Sequence, residues 1–157
     1  MKESEKKRFR ELTDKHGLTS EDFWFSPQGW AIISRQGIEK IQTSIGLKVV
    51  YEVELALTEL ELKTICIKAI ATQKDTDLYI ETYGESNPLN VKGGAKGYPV
   101  AMAEKRALSR AVLKASHLYQ FSKVMGEDEA SGSEQRIPNE PSQGLQRMAE
   151  SPVTRTK

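Results

Sequence analysis

The sequence predicts an α+β domain in which a long helix packs on one face of an antiparallel three-stranded β-meander. This β-β-β-α core is preceded by an N-terminal helix and a small hairpin. Three strand-like runs between Val49 and Tyr83 are joined by short connections, whereas parallel crossovers need a dozen or more residues. An alanine-rich helical run follows from Pro99. A helix on one face of an antiparallel sheet is typical of the α+β class.

The first third of the chain predicts three small elements. Residues 2–16 form a highly charged helix that Gly17 stops. Residues 22–34 form a small hairpin around the turn sequence Ser26-Pro27-Gln28-Gly29. A second short helix, ending at Gly46, is predicted from isoleucines on one helical face: Ile38, Ile41 and Ile45.

The aromatic residues of the hairpin allow two interpretations. Such a cluster usually forms the core of a small hairpin, but exposed rings can also stack on nucleobases. Its members are Phe23, Trp24, Phe25 and Trp30.

Three strands are predicted next. Residues 49–57 alternate between apolar and other side chains, which indicates one buried and one wet face. Residues 62–72 are more continuously apolar and suit a central strand, and residues 78–83 form the third strand after a turn at 74–77. Tyr79 and Tyr83 then share the face opposite Leu78, Ile80 and Thr82.

The long helix is predicted from Pro99, which suits a first helical turn, to about Tyr119. Its apolar stripe consists mostly of small residues, which lets the helix lie close to the sheet. The stripe comprises Val100, Ala103, Ala107, Ala111, Ala115 and Leu118. Glu104 falls inside this stripe, either as a first-turn acid favoured by the helix dipole or as a buried or intersubunit partner for a cation.

The composition changes at Gly126. Residues 126–157 are rich in Gly, Ser, Pro, Glu, Gln and Asn, contain no aromatic residue and carry a net charge of −2. Such a segment buries too little apolar surface to order itself, so the sequence predicts a folded domain over 1–125 and a disordered polar tail over 126–157.

Composition excludes several classes of protein. The only cysteine is Cys66, and His16 and His117 are the only histidines, so neither a disulfide nor a cysteine-rich zinc site is expected. No apolar run approaches the roughly 20 residues of a membrane span, and the charged N-terminus has no apolar signal segment. A cytoplasmic protein without membrane contact or cofactor is expected.

Positive charge is concentrated around the long helix. Seven Lys or Arg residues lie between positions 92 and 123 against one acid, whereas the whole chain has a net charge of +1. Arg106, Arg110 and Lys114 form one row at i, i+4 and i+8, and Lys105 lies at the other edge of the polar face. Stacked cations repel each other, which favours an anionic partner. A solvated charged face is the alternative.

The loop before the helix strengthens the prediction of anion binding. Lys92-Gly93-Gly94-Ala95-Lys96-Gly97 brings two cations to the helix start, whose free N–H groups and dipole favour phosphate. The loop lacks the Gly-Lys-Ser/Thr of a phosphate-binding P-loop, so nucleotide hydrolysis is not indicated.

A metal-dependent nuclease is one alternative function. It needs two or three carboxylates that converge on a metal ion. Glu52 and Glu54 share a strand face with one another, but they fit its wet side equally well, so no catalytic residue or metal ligand is predicted. A protein-binding adaptor without DNA affinity is the second alternative.

Three segments and the meander together resemble the single-strand annealing proteins of homologous recombination. The resemblance is to small phage-type relatives of the eukaryotic break-repair annealing protein, and it covers residues 22–128. Its segments are Ser34-Arg35-Gln36-Gly37-Ile38-Glu39-Lys40-Ile41, Glu81-Thr82-Tyr83-Gly84-Glu85 and Ala101-Met102-Ala103-Glu104-Lys105-Arg106-Ala107. The run Gly126-Glu127-Asp128-Glu129 looks like the acidic exit of the phage members.

The resemblance implies a β-β-β-α unit that assembles into a ring or helical filament and holds single-stranded DNA by its phosphates in a basic groove. The family's helix contacts match Lys105, Arg106, Arg110 and Lys114, and its variable loop matches Lys92 and Lys96. An arginine that the eukaryotic member places near the hairpin has no counterpart at residues 23–28, so Arg35 or Lys15 is expected to make that contact.

The expected function is therefore ATP-independent annealing of complementary strands during recombination and repair. The resemblance implies a bacterial cell and a phage or prophage gene. A single-strand-binding protein or a recombinase is the partner expected at the polar tail.

Overall fold

The computed structural model describes residues 1–130, so the predicted disorder of positions 131–157 lies outside the described residues. It confirms the α+β class, with two three-stranded sheets and three α-helices in the described range. Within that range no helix is both long enough and apolar enough to span a bilayer.

Helix α1 (Glu3–Lys15) packs against a small sheet formed by β1 (Phe23–Phe25), β2 (Ala31–Ile33) and β6 (Val124–Gly126). β2 pairs antiparallel with β1 and parallel with β6. Phe9 of α1 lies edge-to-face with Phe23, Phe25 and Phe121 at centroid distances of 5.3–5.7 Å. Phe23 and Phe25 are therefore half-buried and pack against the core.

Helix α2 (Arg35–Ser44) begins where Ser34 caps it, since the Ser34 hydroxyl accepts a bond from the Gly37 N–H at 3.1 Å. Ile38 and Ile41 are fully buried, as the helical spacing predicts. The short helix and the hairpin thus join one hydrophobic core.

The meander consists of β3 (Leu47–Val53), β4 (Ile65–Gln73) and β5 (Tyr79–Ser86), with β4 in the centre. Both pairings are antiparallel, as predicted. Helix α3 (Pro99–Ala115) covers one face of this sheet. Tyr79 and Tyr83 lie on the opposite, open face.

Gly84 permits the close approach of α3 to β5. A Cβ atom at this position would overlap the backbone of Ala103 and Ala107. Buried alanines line the facing side of the helix: Ala103, Ala107 and Ala111. The middle of the predicted stripe therefore lies against the sheet, whereas Val100 at its start is 52% exposed.

Residues 53–57 depart from the prediction of a half-buried strand. The strand ends at Val53, and Leu55–Leu57 forms a 3-10 turn whose leucines are exposed. We call residues 54–64, which join β3 to β4, the leucine arm. An isolated bridge between Glu59 and Thr64 closes the arm.

Other boundaries also differ from the predictions: β4 begins at Ile65 rather than Leu62, and β5 continues to Ser86 rather than ending at Tyr83. α3 ends at Ala115 rather than near Tyr119, since His117 adopts a left-handed backbone conformation with φ of 59°. The ordered chain continues past 125, because β6 and the 3-10 turn Glu127–Glu129 fold back onto the domain. We call Glu127–Glu129 the acidic strap.

Candidate nucleic-acid interface

The cations of the predicted row on α3 become more exposed to solvent toward the C-terminal end of the helix. Arg106 is 7% exposed, Arg110 is half-buried and Lys114 is exposed. The turn after β5 and the acidic strap cover the N-terminal half of the row. The three cations therefore do not form one solvent-facing row, because segments distant in sequence, which a helical wheel does not show, cover its first half.

Arg106 joins three segments through one guanidinium group. Its Nη1 donates to the Glu85 carbonyl and the Asn90 Oδ1, both at 2.7 Å, and its Nη2 donates to the Asn90 carbonyl at 2.7 Å. Its Nε donates to the Asp128 carbonyl at 2.9 Å. Burial lowers the pKa of this guanidinium, and the charge of nearby Glu129 opposes that effect. Arg106 therefore holds segments of this chain together and is not a free ligand for phosphate.

Arg110 is also engaged within the chain. Its Nε lies 2.5 Å from the Glu129 Oε1, and its Nη1 donates to the Tyr83 carbonyl at 2.7 Å. The group remains partly exposed. Glu129 therefore occupies a position where an external anion could pair with Arg110.

The strap reaches Arg35 as well. The Arg35 backbone N–H donates to the Glu127 Oε1 at 2.7 Å, and the Arg35 side chain pairs with Glu39 at 2.9 Å. Arg35 Nη1 and Asp128 Oδ2 are buried without a hydrogen-bond partner among the described residues. Burial raises the pKa of Asp128, although Lys105 lowers it in part.

Glu104 lies beyond the first turn of α3, in a half-buried position, so the first-turn interpretation is wrong. It faces β3, where burial first and the Glu104 charge second raise the pKa of Tyr51. The described residues give it no ion pair, and the prediction of an intersubunit partner stays untested.

The remaining predicted cations lie closer to solvent. Lys92 and Lys96 are exposed in the loop between β5 and α3, where Gly93–Gly97 forms a 3-10 turn. Lys105 is half-buried on α3, and Lys114 is exposed near the helix end. The structure thus separates the site residues into an accessible group and a group held within the fold.

Two cavities flank the loop, and Val91 lines both. The larger, of about 630 Å³, carries both signs of charge because Arg106, Arg110 and the acidic strap line it. The smaller, of about 250 Å³, has two lysines and no carboxylate among its lining residues, which are Lys63, Ser86, Asn87, Pro88, Val91, Lys96 and Pro99. Lys63 and Ser86 were not predicted, because no local pattern links them.

The carboxylates considered for a nuclease do not converge in the described chain. Glu52 pairs with Lys68 at 2.8 Å on the open face of the sheet. Within residues 1–130, no three His, Cys, Asp or Glu residues are grouped so that they could hold a metal ion. No observation in this range favours the nuclease alternative.

No family model, curated protein or solved structure matches this chain.

Proposed function

We propose that this protein is an ATP-independent single-strand annealing protein of the phage recombination type. It binds single-stranded DNA through backbone phosphates along an oligomer and leaves the bases free to pair with a complementary strand. One observation carries the proposal. At one end of the meander, beside the exposed leucine arm, the exposed lysines Lys63 and Lys96 line a cavity that no carboxylate lines.

Lys92 and Lys96 are the principal phosphate contacts of this proposal. Both are exposed beside the start of α3, where the helix dipole attracts anions. Lys105 and Lys114 are further candidate contacts on α3, on different sides of the helix. Arg106 and Arg110 act mainly by fixing the loop and the strap, since their donors already have acceptors within the chain.

The leucine arm is the proposed contact between copies of this chain. Four leucines of the arm are 58–77% exposed, a large apolar surface for an 11-residue segment: Leu55, Leu57, Leu60 and Leu62. Acids accompany them, namely Glu54, Glu59 and Glu61. Contiguous exposed apolar surface marks an interaction site.

A second copy suits the arm by charge. The arm joins edge strand β3 to the central strand β4, and the loop with Lys92 and Lys96 follows the other edge strand, β5. Both lie at the same end of the sheet, where Lys63 of the arm and Lys96 of the loop line one cavity. That loop side also exposes apolar residues, with Leu89 at 92% and Tyr98 at 70%. The acidic apolar arm of one copy suits the basic apolar loop of the next by charge, and a head-to-tail contact of this kind generates rings or helical filaments.

Annealing needs no covalent step in this arrangement. Lysines reduce the repulsion between strands, and the oligomer holds one strand ordered. Many weak sites along one strand add up because each further contact is intramolecular. A modest number of cations per copy is therefore sufficient.

Binding of a fluorescent oligonucleotide at several salt concentrations tests the DNA contacts. We expect Lys92→Gln/Lys96→Gln to weaken binding and to reduce the salt slope by about 1.4, since each lost contact to single strands contributes roughly 0.7. Lys7→Gln/Lys74→Gln, which removes two exposed lysines elsewhere, is the matched control. Equal affinity and slope for both double variants would contradict the proposed contacts.

Electron microscopy with and without oligonucleotide tests the assembly. We expect rings or filaments from the natural chain and smaller species from Leu57→Asp/Leu60→Asp. Discrete monomers of the natural chain in both samples would remove the annealing proposal.

A protein-binding adaptor is the second candidate, because the exposed leucines suit any apolar protein partner and two predicted DNA ligands are engaged internally. The two candidates differ in a simple assay. An adaptor retains no single-stranded DNA at low salt, whereas the annealing protein does.

A further inference from the structure

The smaller cavity beside α3 contains a buried polar group without a partner. Ser86 ends β5 on the helix-facing side and is 1% exposed, and its hydroxyl makes no hydrogen bond with the described residues. Buried hydroxyl groups in native proteins nearly always have a partner, so an orphan of this kind calls for a ligand, an ion or a water molecule. Ser86 lines the cavity, so the orphan hydroxyl belongs to its wall.

The start of α3 borders the same cavity. Pro99, the first residue of this 17-residue helix, lines the cavity, and the N-cap residue Tyr98 supplies no side-chain cap. The first N–H groups of a helix have no partner inside the helix and carry the positive end of its dipole. Without a side-chain cap, they are available to an anion.

Two lysines add positive charge to the wall of the smaller cavity. Lys63 comes from the end of the leucine arm, and Lys96 comes from the loop before α3. Both are exposed, so their ammonium groups can turn toward a ligand. Glu85 lies on the opposite face of β5, and it lines the larger cavity instead.

We infer that this cavity is an oxyanion site for a tetrahedral phosphate group. The Ser86 hydroxyl and the first N–H groups of α3 donate to the phosphate oxygens, and Lys63 and Lys96 neutralise the charge. The source of the phosphate, a DNA backbone or free phosphate, rests on the proposed function; the site itself does not. The inference adds Lys63 and Ser86 to the surface that meets DNA and links the arm to the loop.

Titration with inorganic phosphate tests the site itself. At constant ionic strength, we expect phosphate to raise the Tm and to shift the amide signals of Ser86 and Val100 in NMR spectra. Ser86→Ala should bind phosphate about tenfold more weakly, since a hydrogen bond to a charged group contributes that much. It should not lower the Tm in phosphate-free buffer, because it removes an unsatisfied buried hydroxyl.

Three Lys→Gln variants, each of which removes one positive charge, distinguish a specific site from a general effect of charge. Lys63→Gln and Lys96→Gln should each weaken phosphate binding, whereas Lys74→Gln, at the far end of β4, should leave it unchanged. No shift of the Ser86 and Val100 signals at millimolar phosphate would overturn the inference. Equal loss of binding in all three lysine variants would also overturn it, because nonspecific charge would then explain the effect.

Oligonucleotide binding identifies the source of the phosphate. Weaker DNA binding by Ser86→Ala, with competition by inorganic phosphate, supports the backbone as the ligand. Phosphate binding that depends on Ser86 in a protein that retains no DNA supports the site and rejects the proposed function. DNA binding without any phosphate response at Ser86 rejects the site and leaves the proposed function in place.

Discussion

At the scale of the residue, Arg106 holds together segments that are far apart in sequence. Its four bonds join α3 to the end of β5, to the following turn and to the acidic strap. The partners are mostly backbone carbonyls, which a pattern of charged side chains does not reveal. For this reason a helical wheel identified the row but not the burial of its first member.

Replacement of Arg106 tests this structural role. Arg106→Gln leaves several buried acceptors without a donor and should lower the free energy of unfolding by about 3–5 kcal/mol. Urea denaturation followed by circular dichroism measures the change. Lys105→Gln, on the neighbouring half-buried position, should change stability by less than about 0.5 kcal/mol. Equal stability of both variants would contradict the role of Arg106.

At the same scale, Asp128 should make the stability of the fold depend on pH. Burial raises the pKa of its carboxyl group, so the folded state holds this proton more tightly than the unfolded chain. Its contribution to stability is present at acid pH and is lost as the pH rises through the raised pKa. Asp128→Asn should therefore be more stable than the natural chain at pH 7.

Acidification should remove this gain, so the stabilities of Asp128→Asn and the natural chain should converge below the ordinary pKa of 3.8. Thermal unfolding between pH 3 and pH 7 gives the comparison. A gain of equal size at all pH values would show that the charge of Asp128 is not its cause.

At the scale of the element, α3 and β5 form a closely packed pair that positions the loop cations. Gly84 makes the contact possible, and the alanine stripe of α3 fits against it. The loop between the two elements then leaves β5 and enters the helix at a fixed place. Lys92 and Lys96 owe their position to this contact.

Gly84→Ala tests the contact directly. The added methyl group overlaps the backbone of α3, and relief requires the helix to move, so we expect a loss of about 3 kcal/mol. Gly94→Ala is the matched control, because a Cβ atom there meets nothing within 4 Å. A Gly84→Ala protein as stable as Gly94→Ala would mean that α3 lies farther from β5 than described.

The acidic strap is the second element with a functional consequence. Glu129 pairs with Arg110, which an anionic ligand could otherwise approach. Glu129→Gln should raise affinity for single-stranded DNA by up to about fivefold, since a partly exposed pair of this kind contributes up to roughly 1 kcal/mol. Glu21→Gln makes the same change in charge at an exposed position before β1 and is the control. A larger gain from the control would place the DNA elsewhere.

At the scale of the whole molecule, the sequence predicted the meander, the helices and the small hairpin because hydrophobic period and turn residues report local structure. The alanine stripe showed which face of the helix packs on the sheet. The fold of residues 124–130 could not be predicted this way. β6 pairs in parallel with β2 across more than 90 residues, and the acidic run beside it resembled the start of a disordered tail.

The sequence predicted only those parts of the candidate site that depend on local patterns. Lys92 and Lys96 are exposed as expected, since glycines kept their loop outside the core. Arg106 and Arg110 are partly or fully covered by segments distant in sequence. Ser86 and Lys63 meet only through the arrangement of β4, β5 and the arm.

The central proposal is that copies of this domain hold one DNA strand by its phosphates and speed its pairing with a complement. The most direct measurement is the rate of annealing of two fluorescently labelled complementary oligonucleotides in low-salt buffer without ATP. We predict that the natural chain accelerates pairing well above the spontaneous rate and that Lys92→Gln/Lys96→Gln loses most of this effect. A rate equal to the spontaneous one at saturating protein would contradict the account.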